Sequence, residues 1–184
     1  MSPLHQAGSR SPVRLVNEVR RCREARWFLE GDVPNKLRPP GTPVKRTDLY
    51  ELESLRPWEA YKRRGRPRVV EHKWRVGRVE LIDVLGALGY VETWEKQRDQ
   101  RERTGSGQWI AVRKQLWTSR GLEIGKFQVD DRAGWTICID PGARLGSRGR
   151  DLLEAWAPLL VERGEPGSYP AWLGSRPSQA GGVH

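Results

Sequence analysis

The stretch Arg46–Val76, RTDLYELESLRPWEAYKRRGRPRVVEHKWRV, decides how the chain is read. In its last third Val70, His72, Trp74 and Val76 alternate with Glu71, Lys73 and Arg75. Successive side chains of a strand point to opposite faces, so this spacing sorts apolar from charged residues in an extended chain. Arg46–Glu51, Glu59–Arg64 and Arg68–Val76 read as strands, the last two joined through Arg64-Gly65-Arg66-Pro67. Glycine and proline between two strand-like runs mark a turn. The charged face is expected to point inward, with Trp74 and Val76 outward against a helix and His72 structural.

Upstream, Arg23–Leu29 reads as a first strand, and Gly31–Pro43 carries the prolines and glycines of a loop. Downstream, Gly77 breaks the fourth strand. Leu81, Ile82, Leu85 and Leu88 then fit one face of a helix over Val79–Leu88, with Gly89 as its stop. Val91–Arg103, Gln108–Trp117, Leu122–Val129 and Trp135–Asp140 complete eight strands. Asp151–Val161 has a second helical pattern interrupted by Pro158, and Ser168–Leu173 is apolar enough to pack down. Residues 1–12 and 174–184 are polar or glycine-rich and read as disordered, leaving a single domain over 13–173.

The formal charge is +10 and 26 of the 33 basic residues are Arg, which favours a polyanionic partner. Cys22 and Cys138 show no paired spacing, and no Cys/His cluster has zinc-ligand form, so reduced thiols in a cytoplasmic protein are expected. No run approaches the ~18 apolar residues of a membrane span, and no signal peptide is evident. Nine Trp in a chain only 36% hydrophobic imply that a few large rings fill much of the core.

Two resemblances attach to these residues. Arg64-Gly65-Arg66-Pro67 resembles the AT-hook, a peptide that lies in the narrow, negative minor groove of A·T-rich DNA. The wider pattern resembles the CYTH domain, or triphosphate tunnel metalloenzyme. The matching pieces are Glu24-Ala25-Arg26, Arg46-Thr47-Asp48-Leu49-Tyr50, Tyr61-Lys62-Arg63, Glu71-His72-Lys73, Lys96-Gln97-Arg98, Leu122-Glu123-Ile124 and Trp135–Asp140. They run in order from about Arg20 to Trp172. The family's Glu-x-Glu-x-Lys motif corresponds here to Cys22-Arg23-Glu24-Ala25-Arg26, so Cys22 replaces a carboxylate.

This second resemblance implies an α+β fold: a closed, eight-stranded antiparallel β-barrel, or tunnel, with flanking helices. A barrel places every second residue of each strand inside. The implied substrate-binding cations are Arg26, Arg46, Lys62, Lys73, Arg75, Lys96, Arg98 and Arg113, with Lys73 and Arg98 as catalytic residues. Glu24, Glu123 and Asp140, with Glu71 behind them, would hold Mg²⁺ or Mn²⁺. The implied activity is metal-dependent hydrolysis of a triphosphate-bearing small molecule or inorganic polyphosphate. The alternatives are a binding protein that holds such an anion without turning it over, and a DNA binder acting through Arg64–Pro67.

Overall fold

The computed structural model describes residues 19–51, 58–62, 70–99 and 109–174; within them, the side chains at 49, 51, 58–62, 70–73, 98, 99, 109 and 170 lie outside the description. Among the described residues nine strands form one sheet: β1 (Arg20–Glu30), β2 (Val44–Glu51), β3 (Trp58–Lys62), β4 (Val70–Val84), β5 (Ala87–Asp99), β6 (Trp109–Ser119), β7 (Leu122–Val129), β8 (Arg132–Ile139) and β9 (Glu165–Pro166). Two α-helices follow β8: α1 (Ser147–Arg163) precedes β9, and α2 (Tyr169–Gly174) comes after it. The sheet runs β2-β6-β7-β8-β1-β5-β4-β3, all antiparallel, with β9 added on β1.

This path corrects the closed barrel. Its two ends, β2 and β3, come near one another, but no ladder joins them among the described residues, so the sheet has edges and is not closed. Closure requires a continuous hydrogen-bonded circuit, and alternation along single strands carries no information about the partners of the two edges.

The helix expected over Val79–Leu88 is also absent. These residues form the end of β4, a two-residue turn at Leu85-Gly86, and the start of β5, with Val84 paired to Ala87. Both turn residues have positive φ, 53° and 89°, as a type I′ hairpin turn requires. The Gly86 N–H donates to Asp83 Oδ1 at 2.7 Å. Leu81 and Leu88, two members of the helical stripe, are 81% and 70% exposed, while Val84, Ala87 and Val91 are buried. Gly89 is no helix stop. A Cβ there would lie 2.3 Å from the Trp27 ring, which packs across the strand and donates its indole N–H to the Leu88 carbonyl at 2.9 Å.

The sheet carries a helix on each face. Ala25, Trp27 and Leu29 of β1, with Ile124, Trp135 and Ile137, pack under Leu153, Trp156 and Leu160 of α1. Trp156 donates its indole N–H to the Leu37 carbonyl at 2.9 Å, which ties the helix to the loop after β1. The helix is longer than its apolar pattern suggests, and Pro158 lies on its exposed side. On the opposite face Phe28, Tyr50, Val112, Phe127 and Val129 bury Tyr169, Trp172 and Leu173 of α2. Phe28 stacks on Trp172 with ring centroids 5.2 Å apart and planes 7° from parallel. The tail therefore packs down as its composition predicts. No helix among the described residues is long and apolar enough to cross a membrane.

Candidate functional site

Strand alternation gathers charge on the face that α2 covers. In β2, Arg46, Asp48 and Tyr50 share one side, and Arg46 pairs with Lys114 across the β2–β6 ladder. In β1 the same side carries Glu24, Arg26 and Phe28, with Arg26 opposite Cys138 and Cys138 opposite Glu123 of β7. The result is a compact cluster in which Arg26, Arg46 and Lys114 meet Asp48 and Glu123 around the Tyr169 ring.

Lys114 is its centre. Its side chain is 3% exposed, and Nζ lies 2.8 Å from Asp48 Oδ2 and donates to the Tyr50 hydroxyl. The same ammonium sits over the Tyr169 ring, 3.6 Å from the centroid, as a cation–π contact. Arg46 Nη2 reaches Asp48 Oδ2 at 2.8 Å, so one carboxylate serves two cations. Arg26 Nη1 meets Glu123 Oε1 at 3.2 Å, and its guanidinium lies 5.2 Å from the Tyr169 centroid. The side chains of Arg46 and Glu123 keep 24% and 25% of their surface exposed, which opens the cluster to solvent on that side.

The electrostatics follow from burial and company. Burial drives the Lys114 pKa down to about 7; Asp48 opposes that drop, while Arg46 and Arg26 add to it. For Asp48, burial alone would raise the pKa, but Lys114 and Arg46 outweigh it and hold the carboxyl below its ordinary value. Glu123 behaves alike: burial is overcome by Arg26, then Arg46 and Lys114. Burial pushes the Tyr169 phenol up, so it presents a neutral ring to the cations.

The expected site residues separate into groups. Arg26, Arg46 and Glu123 enter the cluster. Glu24 is half-buried beside Arg26 and adds to its charge stabilisation. Arg75 extends the charged face, with Nη1 3.3 Å from Glu92 Oε1, and Lys96 is half-buried on β5. Trp74 donates its indole N–H to Glu95 at 3.2 Å, with strand rather than helix following in sequence. Lys62, Lys73, Arg98, Glu71 and His72 lie on β3, β4 and β5, but their side chains fall outside the described residues, as does the whole of Arg64-Gly65-Arg66-Pro67.

Arg113 is displaced from its expected place. It is exposed on the α1 side of the sheet, opposite Thr47 and Gln128, and its neighbour Lys114 points into the cluster instead. A one-residue change of phase moves a side chain to the other face. Lys114, Asp48, Tyr50 and Tyr169 are site residues that sequence reasoning misses. The Arg46-Asp48-Tyr50 alternation within RTDLY is the signal for two of them. Tyr169 arrives from the far end of the chain and has no local signature.

Among the described residues, the side chains expected to hold a divalent metal do not gather at one place. Glu123 is engaged by Arg26, and Asp140 is exposed, with Oδ1 accepting the Gly142 N–H at 2.9 Å in a turn. Cys22 stands where the resemblance requires a carboxylate. Among the described residues no three His, Cys, Asp or Glu side chains gather as a metal group. No family model matches the chain, and neither a curated protein nor a solved structure matches it.

Proposed function

We propose that the charged face opposite α1 binds a triphosphate-bearing small molecule or inorganic polyphosphate, and does so without turning it over. The observation that carries this reading is the convergence of Arg26, Arg46 and Lys114 from three strands on one partly open cluster. Buried charges cost several kcal/mol each in desolvation, and ion pairs of this kind are poor sources of net stability. A partly open cluster that gathers Arg26, Arg46 and Lys114 beside Asp48, Glu123 and Glu24 at that cost fits a site where an anion competes for the cations. The resemblance to triphosphate-binding CYTH domains supports the same ligand class, and binding on an open sheet face needs no closed tunnel.

An incoming polyphosphate competes for cations that Asp48 and Glu123 hold in its absence. Arg46 and Arg26 offer planar N–H forks suited to phosphoryl oxygens, and Lys114 supplies a point charge behind them. Arg75 and Lys96 lie farther along the face for the rest of an extended anion.

The test is thermal unfolding with inorganic triphosphate, alongside phosphate release with Mg²⁺ and with Mn²⁺. A ligand at ~100 times its Kd stabilises a fold by about 2.7 kcal/mol, so the midpoint should rise by several degrees. Arg26→Ala should abolish the shift, and no phosphate should be released. Absence of any shift in the parent protein would refute binding. Metal-dependent release would refute the absence of turnover.

A further inference from the structure

The α1 side of the sheet is not covered to its edge. Beyond the helix, β2, β6 and β7 leave a groove of about 630 Å³ whose lining includes Lys45, Arg113, Gln115 and Lys126, together with Arg46 and Lys114 of the same strands, and no acidic residue among the described residues. The ladders set the side chains on the α1 side in two rows across the strands. Lys45 stands opposite Gln115 and Gln115 opposite Lys126, while Thr47 stands opposite Arg113 and Arg113 opposite Gln128. Some exposed arginines elsewhere are matched with carboxylates, as in Arg21–Glu95 at 2.6 Å, Arg23–Glu80 at 2.6 Å and Arg75–Glu92 at 3.3 Å, whereas Arg78, Arg120 and Arg144 are exposed without an ion pair among the described residues. In the groove, Lys45 and Arg113 make no ion pair among the described residues, and Lys126 only leans over the Trp135 ring at 5.8 Å.

We infer that this groove docks the sugar–phosphate backbone of a single nucleic-acid strand through Lys45, Arg113 and Lys126, whose side chains alternate to the face of the sheet opposite the one that carries the Arg46 and Lys114 side chains. The patch offers hydrogen-bond donors and positive charge without opposing acid, as repeated phosphates require. Two strand spacings separate Lys45 from Lys126, about 10 Å, and the rows lie about 7 Å apart along the strands. A duplex presents two backbones across a major groove about 12 Å wide, so a patch this small reads one backbone only. The described lining carries no exposed ring on which a base could stack, and contacts to phosphate alone carry no sequence information. Binding is therefore sequence-independent, and the net charge of +10 speeds encounter.

The experiment is a fluorescence-anisotropy titration of the full chain with short labelled oligo-dT and oligo-dA over a range of salt. The combined variant Lys45→Gln, Arg113→Gln, Lys126→Gln should weaken both oligonucleotides at least tenfold. It should also flatten the log–log salt slope by roughly 2, since each phosphate neutralised on a single strand contributes ~0.7 to that slope. Its affinity for inorganic triphosphate should be unchanged, which separates failure here from failure at the inner cluster. Lys45→Gln alone, on the exposed edge strand, should weaken binding by about two- to threefold without disturbing the fold. Oligonucleotide affinity that survives the combined change, that falls equally with Arg26→Ala, or that is exceeded by a duplex of the same length would overturn the inference.

Discussion

Lys114 is the residue at which structure and solution behaviour meet. It is buried among aromatic rings and two cations, and Asp48 does not fully offset that environment, so its pKa falls to about 7 from an ordinary value of 10.5. The native state then binds fewer protons than the unfolded chain between those values, and stability must rise with pH across that window. The slope is at most about 1.4 kcal/mol per pH unit for one proton. Asp48 and Glu123 act in the opposite range. Their depressed values stabilise the fold above the ordinary carboxylate range, and that contribution disappears as acid protonates them in the native state. Urea unfolding of Lys114→Met should therefore show a flat profile from about pH 7 to 10 where the parent protein climbs; an unchanged climb would place the titration elsewhere. That Lys114 rather than Arg113 faces inward was not legible from charge, since both are basic. The phase is set by Val112 and Leu116, which are buried on the same side as Lys114, and by the β2 partners that the ladder brings.

At the scale of elements, the β4–β5 hairpin shows why one apolar pattern supports two structures. Leu81, Ile82, Leu85 and Leu88 satisfy a helical face, yet Ile82, Val84, Ala87 and Val91 satisfy the two arms of a hairpin equally well. Periodicity in a short run cannot choose between them. The hairpin turn carries Leu-Gly rather than the favoured Asn-Gly, which hid it. Leu85 adopts φ 53°, a conformation costing a side chain such as Leu about 1–2 kcal/mol. Leu85 is 56% exposed, so replacing it sacrifices little packing. Leu85→Asn should accordingly stabilise the protein by about 0.5–1 kcal/mol, seen as a higher denaturant midpoint. A lower midpoint would contradict the hairpin, because Asn is the poorer residue in a helix. Strands β1, β2 and β3 were legible because their alternation is long or bounded by loop residues, and α1 because Leu153, Trp156 and Leu160 recur at helical spacing.

At the scale of the molecule, one sheet separates two chemistries. The α1 face is an apolar core that gives way to an uncovered basic groove, and the other face is a charged cluster capped by the aromatic residues of α2. The antiparallel architecture and the places of Arg26 and Arg46 could be read from the sequence; the open edges, the inward phase of Lys114 and the role of the tail could not. These depend on contacts between residues far apart in the chain, such as Lys114 with Asp48 and with Tyr169. As an anion site, the cluster has at its centre an amine, Lys114, that takes up a proton when the anion arrives. The measurement that tests this most directly is calorimetric titration with inorganic triphosphate, in two buffers of different ionisation enthalpy, at about one pH unit above the Lys114 value of about 7. The predicted result is binding with net proton uptake of most of one proton, with uptake abolished in Lys114→Met and affinity reduced at least tenfold in Arg26→Ala. Binding without proton uptake and indifferent to both substitutions, or no binding at all, would contradict it.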